Sequence, residues 1–232
     1  MLLTIDDLLT AEELAFINPL LNQAEFVDGK LTAGWHAQLV KHNAQLPADH
    51  PQGGDLRHLV RSALNRHPLF QAAVQPMAIH TILFSRYDVG MSYGLHVDNA
   101  LMGGNLDLDT DSATKRYRSD VSWTLFLNDS TDYEGGALAI EGNEGVQSFK
   151  LKAGAAVLYP SSFLHQVEPV TAGMRLVAVG WVQSLIRDPV QRAILFDLDA
   201  ARRSLFRQYG KTPEFDLISK THANLLRQWS EF

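Results

Sequence analysis

The feature that most limits what this chain can become is a run of short β-like segments between Met77 and Gln183. Segments near 78–87, 94–98, 119–128, 137–140, 146–151, 155–159, 163–170 and 174–183 carry apolar, aromatic and β-branched residues, and Gly, Asn, Asp or Pro separates them. Many short strands with no helical pattern between them leave two solutions, a sandwich or a closed barrel. Turn residues at Gly142-Asn143-Glu144-Gly145 predict one hairpin, and Thr171-Ala172-Gly173 predicts another.

Helical patterns flank this region. Thr10 with Glu13 fits a capping box, and Leu14, Ile17, Leu20 and Leu21 follow at helical spacing. A loop rich in His, Asn, Pro and Gly is expected over roughly 41–54. Leu56, Leu59, Val60, Ala63 and Leu64 then form a second apolar stripe, so residues 1–75 read as mostly helical. After Trp181, Asp188 and Pro189 open another helix that carries Ile194, Leu195, Leu198, Ala201 and Leu205. The stretch Gly210 to Pro213 ends it, and a last helix runs toward Phe232. The chain thus divides into an N-terminal helical buttress (1–76), a β core (77–184) and a C-terminal helical part (185–232). That tail is too short to fold alone. It is expected to pack on the core or to join copies of the chain in a homo-oligomer.

The polar segment 99–119 has the length of a lid or binding loop. Its Asp107, Asp109 and Asp111 resemble half of a calcium-binding loop. Ser112 stands where that loop needs glycine and Arg118 where it needs glutamate, so a solvated acidic loop is the better reading.

Composition narrows the chemistry. The chain has no cysteine, which excludes disulfides and thiolate metal sites and leaves His, Asp and Glu as ligands. A formal net charge of −6 and the absence of a basic run argue against nucleic acid. The start, MLLTIDDLLT, lacks the basic region of a signal peptide. The apolar run Leu176 to Val182 is too short to cross a bilayer. A cytoplasmic location without membrane attachment is the expectation.

Chemistry concentrates in YDVGMSYGLHVD, Tyr87 to Asp98. His96 and Asp98, two apart on a strand, leave the same face. His165 offers a third ligand. Two imidazoles and a carboxylate on one side of a metal leave the other side open, which suits non-haem Fe(II) that activates oxygen. Taken singly, each is an ordinary residue: His96 reads equally as a strand histidine bonded to Asp98, and His165 as a turn histidine. Arg175 follows His165 by ten residues and shares a strand face with Val177, Val179 and Trp181. An arginine on an apolar face must meet an anion, either a protein carboxylate or a ligand. Tyr87 either packs in the barrel or donates its hydroxyl to the same anion.

The order Y-x2-G-x2-Y-x2-H-x-D, then Leu127-Asn128, Gly135-Gly136-Ala137-Leu138, His165 and Arg175, resembles Fe(II)/2-oxoglutarate dioxygenases of the prolyl-4-hydroxylase type. Within these, YGLHVDNALMGG, DVSWTLFLN, EGGALAI and YPSSFLHQVEPVTAGMRLVAVGWVQSLIRD are similar to the bacterial PKHD-type hydroxylases, and the similarity runs the length of the chain. The resemblance implies a mainly β fold with flanking helices, a double-stranded β-helix (jelly-roll) at its core. It implies iron held by His96, Asp98 and His165, and the distal carboxylate of 2-oxoglutarate held by Arg175 with help from Tyr87. Phe126 sits near where relatives carry a cosubstrate-binding tyrosine; lacking a hydroxyl, it is assigned to the wall. The implied activity is hydroxylation of a peptide residue or small molecule, with O2 consumed, succinate and CO2 released, and ascorbate as accessory reductant. Family members are linked with bacterial iron uptake. The rival readings are a non-catalytic sensor of iron or 2-oxoglutarate and a cupin-like hydrolase or isomerase.

Overall fold

The strand Val121–Phe126 shows how the protein is layered. Every residue in it is buried. Val121, Trp123 and Leu125 face one apolar core, while Phe126 faces a second. Ser122 and Thr124 share Phe126's face and line a cavity. A strand buried on both faces has no amphipathic alternation, so its inward face cannot be read from the sequence. The computed structural model describes residues 1–103, 116–142 and 144–232.

Two antiparallel sheets face each other. The major sheet runs Leu3–Ile5, Ala156–Pro160, Val121–Phe126, Arg175–Ser184, Pro76–Tyr87, Ala44–Gln45 and Val27–Asp28. The minor sheet runs Gly145–Phe149, Leu138–Gly142, Leu164–Val167, Ser92–His96 and Lys41–His42. Tyr87, Phe126, Ile140, Tyr159 and Val177 pack between them. This is the jelly-roll arrangement expected for the β region.

Helices cover the outer face of the major sheet. Helix α1 (Ala11–Gln23) begins with the capping box: Thr10 Oγ1 accepts from Glu13 N–H (3.2 Å), and Glu13 accepts from Thr10 N–H (2.9 Å). Helices α2 (Gly53–Arg66) and α3 (Pro68–Val74) bury Leu56, Val60, Leu64 and Phe70 against Trp123 and Leu125. Each such side chain contributes about 1.5–3 kcal/mol on burial. Arg66 at the end of α2 pairs with Glu13 of α1, tying the two together. Helix α4 (Pro189–Tyr209) is capped by Asp188, which accepts from the N–H groups of Val190 and Gln191. It packs on α3, and α5 (Pro213–Trp229) packs on α4. No helix among the described residues is long and apolar enough to cross a membrane.

Three local expectations are corrected. The N-terminal stretch is less helical than its sequence pattern suggests. Leu3–Ile5 is an edge strand, and part of the supposed 41–54 loop forms Lys41–His42 and Ala44–Gln45. Its alternation was hidden because polar Lys41, Asn43 and Gln45 turn inward to a cavity. The segment 163–170 is not one strand. It breaks after Val167, where Pro169 has no N–H for a ladder. Finally, Thr171-Ala172-Gly173 is no hairpin turn. It belongs to the strand Val170–Gly173, which pairs with Tyr133–Gly135. The other hairpin forms as expected, with Gly142 opposite Gly145; Asn143 lies outside the described residues. Asp107, Asp109, Asp111 and Ser112 also lie outside them. The flanking strands Leu101–Met102 and Tyr117–Arg118 pair with each other, and Arg118 binds Asp120 at 2.6 Å.

Candidate metal centre

Register between two minor-sheet strands builds the centre. Ser92–His96 pairs with Leu164–Val167 so that His96 lies directly opposite His165, and their ring centroids are 4.2 Å apart. Opposed residues of an antiparallel pair are the closest side-chain neighbours a sheet offers. The strand ends at His96, so Asp98 lies beyond it, in contrast to the sequence expectation that both sit on one strand. Asp98 still turns back to the pair: its Oδ2 is 3.8 Å from His165 Nε2. One donor atom from each of the three falls within 4.8 Å of the others.

Both rings are oriented in the same way. His96 Nδ1 bonds the carbonyl of Gly94 (2.8 Å) and His165 Nδ1 that of Phe163 (3.0 Å), each two residues back along the chain. A carbonyl accepts only, so each Nδ1 carries a proton and each Nε2 is the nitrogen left to face a metal. Tyr93 stacks on His96 at 3.6 Å between centroids and 14° between planes, fixing the ring. Burial, then the neighbouring His165, pushes His96 down to about 4, so it is neutral at pH 7. Ser122 Oγ is 2.6 Å from Asp98 Oδ2 and 2.8 Å from Ser161 Oγ. A hydroxyl has one proton and a carboxylate only accepts. Ser122 therefore donates to Asp98 and accepts from Ser161. Two imidazoles, a supported carboxylate and no thiolate fit Fe(II).

Arg175 lies deeper between the sheets. It is 1% exposed, and its Nε, Nη1 and Nη2 have no hydrogen-bond partner among the described residues. Tyr87 is its register partner on the adjacent strand, with the guanidinium carbon 5.0 Å from that ring's centroid; Phe126 lies on another side at 5.4 Å. Phe126 therefore forms wall, as its missing hydroxyl requires. The alternative of a structural salt bridge for Arg175 is not seen among the described residues.

Other residues were missed by sequence reasoning. Tyr133 packs beside Arg175, and among the described residues its buried hydroxyl makes no hydrogen bond of ordinary geometry, although it lies near enough to the guanidinium to feel it. Burial raises its pKa and the positive charge of Arg175 opposes that shift. The available signal was Gly135-Gly136. Gly136 has φ +61°, and a Cβ there would meet Tyr133 Cε2 at 3.1 Å and Arg175 Cδ at 3.2 Å. Lys41, Asn43 and Gln45 line the same cavity, of about 230 Å³, as His96, Asp98 and Arg175. Burial pulls Lys41 down to about 8, against the opposing pull of Asp98 and Asp28.

The 2OG-Fe(II) oxygenase superfamily model matches residues 82–183, and the PKHD-type hydroxylase C-terminal domain model matches 190–231. A PKHD-type hydroxylase of Acaryochloris marina is 63% identical over 231 residues, covering 100% of both chains. Among solved structures, a prolyl hydroxylase of Trichoplax adhaerens in complex with a hypoxia inducible factor peptide fragment aligns with TM-score 0.56 and 18% identity, over 83% of this chain and 86% of that one. HygX from Streptomyces hygroscopicus, with nickel, 2-oxoglutarate and hygromycin B bound, aligns with TM-score 0.52 and 15% identity, over 80% and 84%. These two likenesses show the fold. With identity of the former extent over its whole length, the chain belongs to the PKHD-type hydroxylases, within the 2OG-Fe(II) oxygenase superfamily.

Proposed function

We propose that the protein hydroxylates its substrate with Fe(II) held by His96 Nε2, His165 Nε2 and the Asp98 carboxylate, and with 2-oxoglutarate anchored by Arg175. When bound, iron and cosubstrate supply the oxidising power: one atom of O2 enters the substrate as hydroxyl, and the other enters succinate as CO2 leaves. The chain's own residues bind, orient and exclude water. No side chain is needed as acid or base in this scheme.

The observation that carries the reading is Arg175, a buried guanidinium whose three nitrogens make no hydrogen bond of ordinary geometry among the described residues. Such a charge is costly unless an anion completes it. The planar fork suits a carboxylate through two parallel hydrogen bonds, strengthened by the low dielectric between the sheets. Tyr87 faces the guanidinium and supports the cosubstrate end of the cavity. The Gly94 and Phe163 carbonyls keep both imidazoles in the metal-binding tautomer, and Ser122 aims the carboxylate.

The substrate is a peptide side chain or a small molecule. The shared fold does not choose between them, since the Trichoplax enzyme was solved with a peptide and HygX with hygromycin B. The test has two steps. Anaerobic Fe(II) and 2-oxoglutarate should bind together and give a visible charge-transfer band, and air should then yield succinate with one CO2 per cosubstrate consumed. A protein that binds both and never forms succinate would be a sensor instead.

A further inference from the structure

The chain crosses between the two sheets at Asn43. Lys41–His42 pairs with the minor sheet, Lys41 opposite Tyr93, and Ala44–Gln45 pairs with the major sheet, Gln45 opposite Ser85. Lys41, Asn43 and Gln45 alternate along this crossing and line the cavity that holds His96, Asp98 and His165. None of the three is assigned as a metal ligand or as the anchor of the cosubstrate carboxylate.

Their hydrogen bonds are incomplete in a graded way. Gln45 is satisfied: its Nε2 donates to Ser85 Oγ (3.2 Å) and its Oε1 accepts from Thr32 (2.5 Å). Lys41 is 5% exposed and bears three donors. Among the described residues it makes one hydrogen bond, to Thr32 Oγ1 at 3.1 Å, and its Nζ lies 5.2 Å from the Tyr93 ring centroid. Asp98 and Asp28 are near enough to act on its charge, but neither makes an ion pair in contact with it: Asp98 is engaged by Ser122 and belongs to the metal triad, and Asp28 accepts from Lys30 N–H. Asn43 is 3% exposed, and among the described residues neither its Nδ2 nor its Oδ1 makes a hydrogen bond of ordinary geometry, although the amide lies close enough to the Tyr87 hydroxyl to act on it. Its place is built: a Cβ at Gly29 would come within 1.9 Å of Asn43 Oδ1, so the chain opposite is cut back to make room. A buried ammonium with no ion pair in contact, beside a buried amide with unmade hydrogen bonds, is a half-made site among the described residues.

We propose that Lys41 and Asn43 form the substrate-recognition wall of the cavity, and that the substrate presents a carboxylate to Lys41 and a neighbouring amide to Asn43. Gln45, held by Ser85 and Thr32, is the fixed end of this wall. The inference rests on the hydroxylase reading, because it names the substrate class for the same cavity. A carboxylate can belong to a free small acid or to a peptide.

The test uses the full-length protein loaded with Zn(II) and 2-oxoglutarate. Simple aliphatic acids and N-acetyl amino acids, each matched with its own primary amide, are titrated by ligand-observed NMR. Wild type should bind acids at least about tenfold more tightly than the matched amides, the size of one charge-assisted hydrogen bond. Lys41→Met should abolish that preference and Lys41→Arg should keep it. Asn43→Leu should weaken the N-acetyl acids and spare the simple ones. Binding of N-acetyl acids alone points to a peptide as the source, and equal binding of simple acids points to a small molecule. Acids and amides binding alike, no probe binding, or a preference that survives Lys41→Met would overturn the inference. The Fe(II)/2-oxoglutarate charge-transfer band keeps the two readings apart. Its absence from wild type defeats the hydroxylase reading, whereas its loss only in Lys41→Met puts the lysine on the cosubstrate and defeats this one.

Discussion

Tyr87 and Arg175 are register partners on adjacent antiparallel strands, and the guanidinium lies 5.0 Å from the tyrosine ring. The pairing puts the cation over a π face, and among the described residues the guanidinium nitrogens make no hydrogen bond of ordinary geometry.

Arg175→Met should therefore raise the 2-oxoglutarate requirement by tenfold or more, from loss of a contact worth about 1.5–3 kcal/mol. The ligand-free variant should be at least as stable as wild type, because an uncompensated buried charge has gone. Cosubstrate titrations and melting curves, with and without 2-oxoglutarate, read both effects. An unchanged requirement would remove Arg175 from the cosubstrate site.

Ser122→Ala removes the hydroxyl that donates to Asp98 at 2.6 Å. Metal affinity should fall about 10- to 100-fold while the fold persists. His165→Ala should abolish tight metal binding outright. Metal titration by calorimetry separates the two variants. Equal affinities in Ser122→Ala and wild type would show that the carboxylate needs no support.

Gly136→Ala adds a Cβ at φ +61°, within 2.9 Å of Val170 Cγ2 and 3.2 Å of Arg175 Cδ. The left-handed backbone alone costs about 1–2 kcal/mol for a non-glycine residue. The displaced Arg175 should also weaken 2-oxoglutarate binding. Melting temperature and cosubstrate affinity should fall together, and a drop in stability alone would mean that Arg175 is not held by this packing.

Lys41 gives a pH prediction with a definite sign. Its pKa falls from 10.5 to about 8 on folding. Below pH 8 both folded and unfolded chains hold the proton, and the native state bears the cost of a buried charge. Between pH 8 and 10.5 the native state releases a proton that the unfolded chain keeps, so stability rises with pH. Lys41→Met should thus be more stable than wild type by up to about 3 kcal/mol at pH 7. That advantage should shrink to nothing near pH 10.5. Denaturant melts of both proteins across this range check it, and a constant difference would refute the charge as its source.

Much of this was legible before any coordinates. Val177, Val179 and Trp181 alternate with Leu176, Ala178 and Gly180, and that period marked the strand bearing Arg175. The capping box at Thr10 and the Asp188-Pro189 helix start are local signals, and both formed as read. An H-x-D pair is a weak signal in a chain with nine histidines, and the three donors were readable only through the longer order Y-x2-G-x2-Y-x2-H-x-D followed by His165 and Arg175. The strand Val121–Phe126 hid its orientation because both of its faces are buried. Tyr133 was invisible because a strand as short as Tyr133–Gly135 has no period to detect. Lys41 and Asn43 escaped notice because polar residues in an apparent loop normally face water, and these face a cavity.

The passage of the chain from one sheet to the other at Asn43 has a practical consequence. His96, His165 and Arg175 come from strands of the β core and Asp98 from just past one of them, but the polar wall beside them is a short bridge fastened by two brief pairings, one to each sheet. Exchanging that bridge among members of the family should transplant target preference while the oxidising apparatus stays as it was.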